Sequence, residues 1–181
     1  MDKAGFVPLF SLIQQTVIIM KFFMPDYFFD KIWDIPLSFL EGNNIKCLLL
    51  DIDNTLTTHD HPKAHQNVPM WLEMVLKSGI KAIIISNNIE TRVAPFANGL
   101  GVQCVCHAQK PLSTGVKQAI KLTQIPKENM LIIGDQIFTD VLCGKFSKVK
   151  TVLVQPIELE KTRFFRFKRW LERLILKEKR K

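Results

Sequence analysis

The sequence predicts an α/β protein: a three-layer, Rossmann-like core built on a parallel five-stranded sheet, with extra amphipathic helices at both termini. Three observations predict it. Short apolar runs alternate with stretches of helical periodicity, the pattern of a parallel sheet covered by helices on both faces. Four consecutive runs end on polar residues able to do chemistry, and in such sheets ligands lie beyond the carboxyl ends of the strands. The chain has 181 residues, 47% hydrophobic and 23% charged, which is the length of one domain and the composition of an ordinary globular one.

In chain order, residues 1–24 form an apolar N-terminal segment. Its stretch FVPLFSLIQQTVIIMKFFM is interrupted by Pro8, Ser11, Gln14, Gln15 and Lys21, so it falls short of the roughly 18–20 clean apolar residues of a spanning helix. It has no basic leader or small-residue cleavage site, which argues against a secretory signal. Leu9, Ile13, Val17 and Met20 recur at helical spacing, as in a helix lying in a membrane interface or one packed on the domain. Residues 25–160 form the main domain. The stretch 25–44 reads as one or two helices stopped at Gly42-Asn43-Asn44. Strands are expected at 45–51, 81–86, 102–106, 130–134 and 150–154, each too short for a helix and bounded by Gly, Asn, Asp or Lys. Helices are expected at 69–78, 89–99, 112–123 and 136–144, with Pro95 kinking or shortening the second.

The polar strand ends carry the chemistry. The first strand leads into Asp51 and Asp53, the second into Ser86-Asn87-Asn88, the third toward Lys110, and the fourth into Gly134-Asp135. In extended backbone, residues i and i+2 project to the same side, so Asp51 and Asp53 face one centre. Neighbouring carboxylates repel unless a cation or a shared proton relieves them, and Asp135 adds a third. Hard oxygen ligands of this kind suit Mg²⁺. With Lys110 and the Ser86 hydroxyl at the same edge, the set matches a phosphate group. Each piece alone has a plain alternative: an Asp turn, a helix cap, a solvated lysine. Their joint arrival on successive strand ends is what gives the pattern meaning.

Asp51-Ile52-Asp53-Asn54-Thr55, Ser86, Lys110 and the stretch Gly134 to Asp140 (GDQIFTD) resemble, in order, the four motifs of the haloacid dehalogenase (HAD) superfamily. PDYFFDKIWDI before the first strand, SNN at 86–88 and the Lys110-Pro111 pair make the chain similar to the small capless subclass, and within it to the phosphatidylglycerophosphate phosphatases. The resemblance covers roughly residues 25–170. It implies that Asp51 is a nucleophile forming an aspartyl-phosphate, and that Asp53 is the general acid and then the base for water. It implies that Ser86 binds phosphoryl oxygens and that Lys110 neutralises them and steadies Asp51. It implies that Asn54, Thr55, Asn87 and Lys110 contact substrate. Asp51, the Asp53 carbonyl and Asp135 would hold Mg²⁺, with Asp140 orienting the cluster. The segments between Asp53 and Ser86 and between Lys110 and Gly134 each have room for one helix and its connections, so no cap domain is expected. An open site admits a large or bilayer-held substrate.

The charge points the same way. The formal charge is +8, and residues 161–181 hold all of it, ten Lys or Arg against two Glu. In this segment Phe164, Phe167, Leu171, Leu174 and Ile175 repeat at helical spacing among Arg163, Arg166, Lys168, Arg169, Arg173 and Lys177, the pattern of a basic amphipathic helix on an anionic membrane. A helix packed on the sheet with a basic outer face is the alternative. The expected partners are a phospholipid substrate and an anionic membrane surface. Nucleic acid is disfavoured because the basic residues do not surround the site. The expected location is peripheral, on the cytoplasmic or mitochondrial-matrix side of a membrane. Four cysteines read as reduced thiols, the Cys104-Val105-Cys106-His107 stretch lacking a second cluster for zinc. His59, His61 and His65 fall in an expected solvent-exposed loop, with substrate contact the alternative. The resulting expectation is a Mg²⁺-dependent phosphatidylglycerophosphate phosphatase. The alternatives are a phosphatase for nucleic-acid ends or a soluble phosphate ester, and a non-catalytic membrane adaptor.

Overall fold

Four residues, Cys47–Leu50, explain most of the architecture. All four are fully buried, as they must be in a central strand covered on both faces. Alternation sends Leu48 and Leu50 to one apolar cluster and Cys47 and Leu49 to the other. The structure is a computed structural model that describes residues 22–59 and 61–158, together with Trp170 and Glu172.

The elements run β1 (Tyr27–Phe29), a 3-10 turn (Ile32–Asp34), α1 (Leu37–Gly42), β2 (Cys47–Leu50), α2 (Val68–Lys77), β3 (Lys81–Ile85), α3 (Glu90–Gly99), β4 (Gln103–Val105), α4 (Thr114–Thr123), a 3-10 turn (Lys127–Asn129), β5 (Met130–Gly134), a π-helical turn (Ile137–Val141), α5 (Leu142–Ser147) and β6 (Lys150–Val154). The sheet is wholly parallel, in the order β1-β6-β5-β2-β3-β4. One layer packs Leu40 of α1, Trp71, Leu72 and Val75 of α2, and Val93, Phe96 and Ala97 of α3 against Leu48, Leu50, Ile84, Leu131 and Ile133. The other packs Val116 and Ala119 of α4 and Cys143 of α5 against Leu49, Ile83, Ile85, Met130 and Ile132. Each fully buried Leu or Ile stabilises the fold by about 1.5–3 kcal/mol. From β2 the chain first winds toward β4, then crosses to β5 and winds the other way. The loops after β2 and β5 therefore diverge at the point where the winding direction reverses, which opens a crevice there.

The α/β class is as expected, but the sheet has six strands rather than five. Tyr27–Phe29 was expected within a helix and instead pairs with β6 in the register Tyr27↔Val152, Phe28↔Leu153, Phe29↔Val154. Asp26 pins its start: one carboxylate oxygen accepts both the Thr151 N–H and the Thr151 hydroxyl at 2.8 Å, and the other meets Lys145 at 2.7 Å. The Tyr27 and Phe29 rings rest edge-on against Phe39, at 4.8 and 5.0 Å. A three-residue strand has no period to detect, and only its partner makes it a strand. The expected helix at 136–144 begins as a π turn and becomes α only from Leu142 to Ser147. Pro95 does not end α3. Pro95 and Thr91, whose carbonyl the proline nitrogen cannot bond, are both exposed.

Between Asp53 and β3 there is one helix, α2, and between Lys110 and β5 one helix, α4, with a single 3-10 turn. No cap domain is inserted at either place. Among the described residues, no helix is long and apolar enough to cross a membrane. The amphipathic helices expected in 1–24 and 161–181 lie outside the described residues, apart from Phe22, Phe23 and Met24 at one end and Trp170 and Glu172 at the other.

Candidate active site

Each site residue sits where a buried strand runs out. β2 delivers Asp51, whose N–H still bonds the Ile133 carbonyl of β5 at 3.0 Å. β5 delivers Asp135, 1% exposed. The π turn that follows brings back Asp140, whose Oδ2 accepts the Gln136 N–H at 3.1 Å and lies 3.3 Å from the Thr139 hydroxyl. Gly134 makes this return possible: a Cβ there would collide with the Asp140 carboxyl group. Oxygen atoms of Asp51, Asp135 and Asp140 all lie within 4.8 Å of one another.

Lys110 enters from the loop between β4 and α4. Its Nζ donates to Asp51 Oδ1 at 2.6 Å and to Asp140 Oδ1 at 2.7 Å. The side chain is only 3% exposed. Burial by itself would lower the pKa of this ammonium, but the Asp140 and Asp51 carboxylates outweigh it and hold the pKa above its ordinary value. Asp51 is pushed the other way, up to about 7: burial is the largest cause, Asp140 and Asp53 repel its charge, and Lys110 opposes them. Three carboxylates and one ammonium leave two negative charges. A divalent cation neutralises two charges, and all the donors are hard oxygens at close quarters. The residues present therefore fit Mg²⁺, with Asp51, Asp135 and Asp140 as the side chains that would hold it.

Asp53 faces the same edge, but its carboxylate is not one of the three. Oδ2 accepts from the Asn88 amide at 2.8 Å, and Oδ1 is paired with the Arg92 guanidinium at 3.2 Å. The His59 ring nitrogen lies 4.0 Å away. Ser86 is buried, and its Oγ accepts the Asn88 N–H at 3.2 Å. Thr55 Oγ1 is buried and has no hydrogen-bond partner among the described residues.

Two of the residues expected at the substrate have other engagements. The Asn87 side-chain amide is bonded to the Lys110 main chain. Asn54, with a left-handed φ of 59°, accepts the Glu158 N–H on its side chain at 3.2 Å and the Ile157 N–H on its carbonyl at 3.1 Å. Across this segment, Lys31 Nζ reaches the carbonyls of Gln155 and Pro156 at 3.3 and 2.5 Å. Burial draws the Lys31 pKa below its usual value against the attraction of Asp30, Asp34 and Asp135.

Sequence reasoning missed Asn88 and Arg92 as partners of Asp53. No local pattern marked this pair: Asn88 precedes the extended N-cap Ile89 and so lies outside the helix that carries Arg92. The histidines do not gather: His61 Nδ1 lies 2.9 Å from the Lys63 carbonyl and His65 stacks on Trp33 at 4.3 Å. The sulfurs of Cys104 and Cys106 are 3.9 Å apart. Among the described residues, the three aspartates form the one cluster of metal-ligating groups.

Comparison with known proteins bears on the family and the fold. The profile of the family described as mitochondrial PGP phosphatase matches residues 10–158. A curated relative, the probable phosphatase YqeG of Bacillus subtilis (strain 168), is 38% identical over 159 residues, 88% of this chain and 92% of that protein. Among solved structures, the cobalt-bound deoxy-D-mannose-octulosonate 8-phosphate phosphatase from Haemophilus influenzae has a TM-score of 0.52 at 19% identity, covering 62% of this chain and 69% of that one. An uncharacterized protein from Listeria monocytogenes serotype 4b has a TM-score of 0.53 at 17% identity, covering 66% and 84%. At these identities the two structures share the fold.

Proposed function

The chain belongs to the mitochondrial PGP phosphatase family and is a capless phosphatase of HAD type, and from that premise we propose that it hydrolyses phosphatidylglycerophosphate to phosphatidylglycerol and inorganic phosphate with Mg²⁺. The observation that carries this reading is Lys110 bridging Asp51 and Asp140 beside Asp135. It gives a nucleophile, a fixed cation and a set of hard oxygen donors in one crevice.

In this reading an Asp51 carboxylate oxygen attacks phosphorus, and the phosphorus–oxygen ester bond breaks. Asp53, oriented by Asn88 and Arg92, gives its proton to the leaving alkoxide. It then takes a proton from the water that attacks the aspartyl-phosphate, which releases phosphate and regenerates Asp51. Lys110 keeps Asp51 aimed and offsets the charge gathering on the phosphoryl oxygens, and the Ser86 and Thr55 hydroxyls are donors to them. Asp51, Asp135 and Asp140 would hold Mg²⁺, which when bound supplies charge stabilisation of the phosphoryl group.

The absence of an inserted cap supports a substrate too large for an enclosed chamber. The basic, aromatic-rich stretch 161–181 supports peripheral attachment to an anionic membrane, on the matrix or cytoplasmic side. The test is phosphate release from detergent-dispersed phosphatidylglycerophosphate, with a sugar 8-phosphate and an oligonucleotide 3′-phosphate as competitors. The wild type should turn over the lipid in Mg²⁺ and stop with chelator, and Asp51→Asn should lose at least about a thousandfold. Efficient release from a competitor with the lipid inert would replace this substrate with a soluble or nucleic-acid ester.

A further inference from the structure

Both ends of the described chain meet on the element that carries Asp140. Phe23 packs with Ile137, Val141 and Leu153, its ring 6.0 Å from that of Phe138. Phe22 lies 5.6 Å from Phe146. From the other end, within the basic run 161–181, Glu172 is 4% exposed and its Oε1 accepts the Ile137 N–H at 2.8 Å.

Ile137 opens the π turn and follows Asp135 by two residues. The first N–H groups of a helical turn find no partner within it, and Ile137 is fully buried, so its N–H cannot turn to water. Two carboxylates take successive N–H groups here. Asp140, from inside the turn, accepts from Gln136, and Glu172, from outside, accepts from Ile137. Negative charge is favoured at this end of a helical element. The loop bearing two of the three clustered aspartates is thus held from both sides, and the outer hold belongs to the segment that carries the chain's excess positive charge.

We infer that Glu172 is a positioning residue that fixes the Asp135–Asp140 turn and couples the basic C-terminal segment to the affinity of the metal site. The inference rests on reading the aspartate cluster as a metal site, and it does not depend on which phosphate ester is the substrate. Coupling of this kind is reciprocal: metal binding tightens the seat of Glu172, and drawing the segment away loosens the metal.

The test uses the full chain with Glu172→Ala and Glu172→Gln, the latter keeping a side-chain oxygen as acceptor. Amide exchange at Ile137 is followed without metal, exchange at Leu49 of β2 serves as the internal reference, and Mn²⁺ alone is titrated by paramagnetic resonance. In Glu172→Ala, Ile137 should exchange at least about tenfold faster with Leu49 unchanged, and the Mn²⁺ dissociation constant should rise about three- to tenfold. Glu172→Gln should recover most of both. Unchanged Mn²⁺ affinity in Glu172→Ala overturns the proposal, as does faster exchange at Leu49 by the same factor. A wild type that binds no Mn²⁺ overturns it together with the metal site, whereas a lipid substrate that fails in the activity assay leaves it standing.

Discussion

The Asn87 side chain brackets the main chain of Lys110: its Oδ1 accepts the Lys110 N–H at 2.6 Å and its Nδ2 donates to the Lys110 carbonyl at 2.9 Å. The Lys110 loop needs this support, because His107 and Gln109 sit at positive φ, 47° and 56°, where side chains other than glycine are strained. A residue after β3 thereby places the ammonium that joins Asp51 to Asp140.

Asn87→Ala should therefore act on Lys110 rather than on binding of substrate. We expect kcat to fall about tenfold to a hundredfold through misplacement of the ammonium, with KM changing little. Asn87→Asp keeps the acceptor for the Lys110 N–H but loses the donor, and should fall between Ala and wild type. Steady-state kinetics check this, and an Asn87→Ala enzyme within twofold of wild type would show that the bracket is idle.

Arg92 should matter in proportion to the difficulty of the leaving group. Its guanidinium holds Asp53, and lysine would not reproduce that planar fork. The aryloxide of an aryl phosphate leaves without a proton, whereas a glycerol alkoxide requires one. Arg92→Ala should thus lose about tenfold or more on an alkyl phosphate and little on an aryl phosphate. Equal losses on both would remove the link between Arg92 and proton transfer.

Gly134→Ala should empty the metal site while leaving the strand in place. The added methyl group would take the space of the Asp140 carboxyl, and overpacking of this kind destabilises by about 1–3 kcal/mol. Gly42→Ala, which meets nothing within 4 Å, is the control. Mn²⁺ binding and phosphate release should both fall at least about a hundredfold in the first variant and stay near wild type in the second.

Asp51 gives the metal-free protein a distinctive pH dependence. Its pKa is raised from 3.8 to about 7 in the folded chain, burial being the largest cause. A carboxyl held above its unfolded value adds stability that is complete below the unfolded pKa and is lost as pH rises through the folded one. Without metal, wild type should lose stability relative to Asp51→Asn as pH rises from about 4 to 7, and the difference should level off above that. Denaturant midpoints at several pH values, taken in chelator, measure it. A stability difference that does not vary with pH would place Asp51 in a less buried setting.

The strands and the site differ in how much of them the sequence shows. Leu48, Leu49 and Leu50 announce a doubly buried strand because a parallel sheet needs apolar residues on both faces, and Asp51 is conspicuous for ending that run. Gly134-Asp135 and Ser86 stand out in the same way. Tyr27–Phe29 does not, since three residues carry no periodicity and their pairing partner lies more than a hundred positions away. The same holds for Arg92 on Asp53, where a helix meets the loop after β2, and for Asn87 on Lys110, where two loops meet; neither contact follows a local pattern.

What the sequence by itself determined is the class of fold, the edge of the sheet at which chemistry gathers, and the identity of the carboxylates and the lysine there. Burial and alternation are local rules that leave a mark on every few residues. Only the tertiary structure decided which donors steer those groups: Asn87 on Lys110, Arg92 and Asn88 on Asp53, and Glu172 on the turn of Asp140. Those choices depend on how close separate elements come once the core has packed, and closeness in space has no signature along the chain.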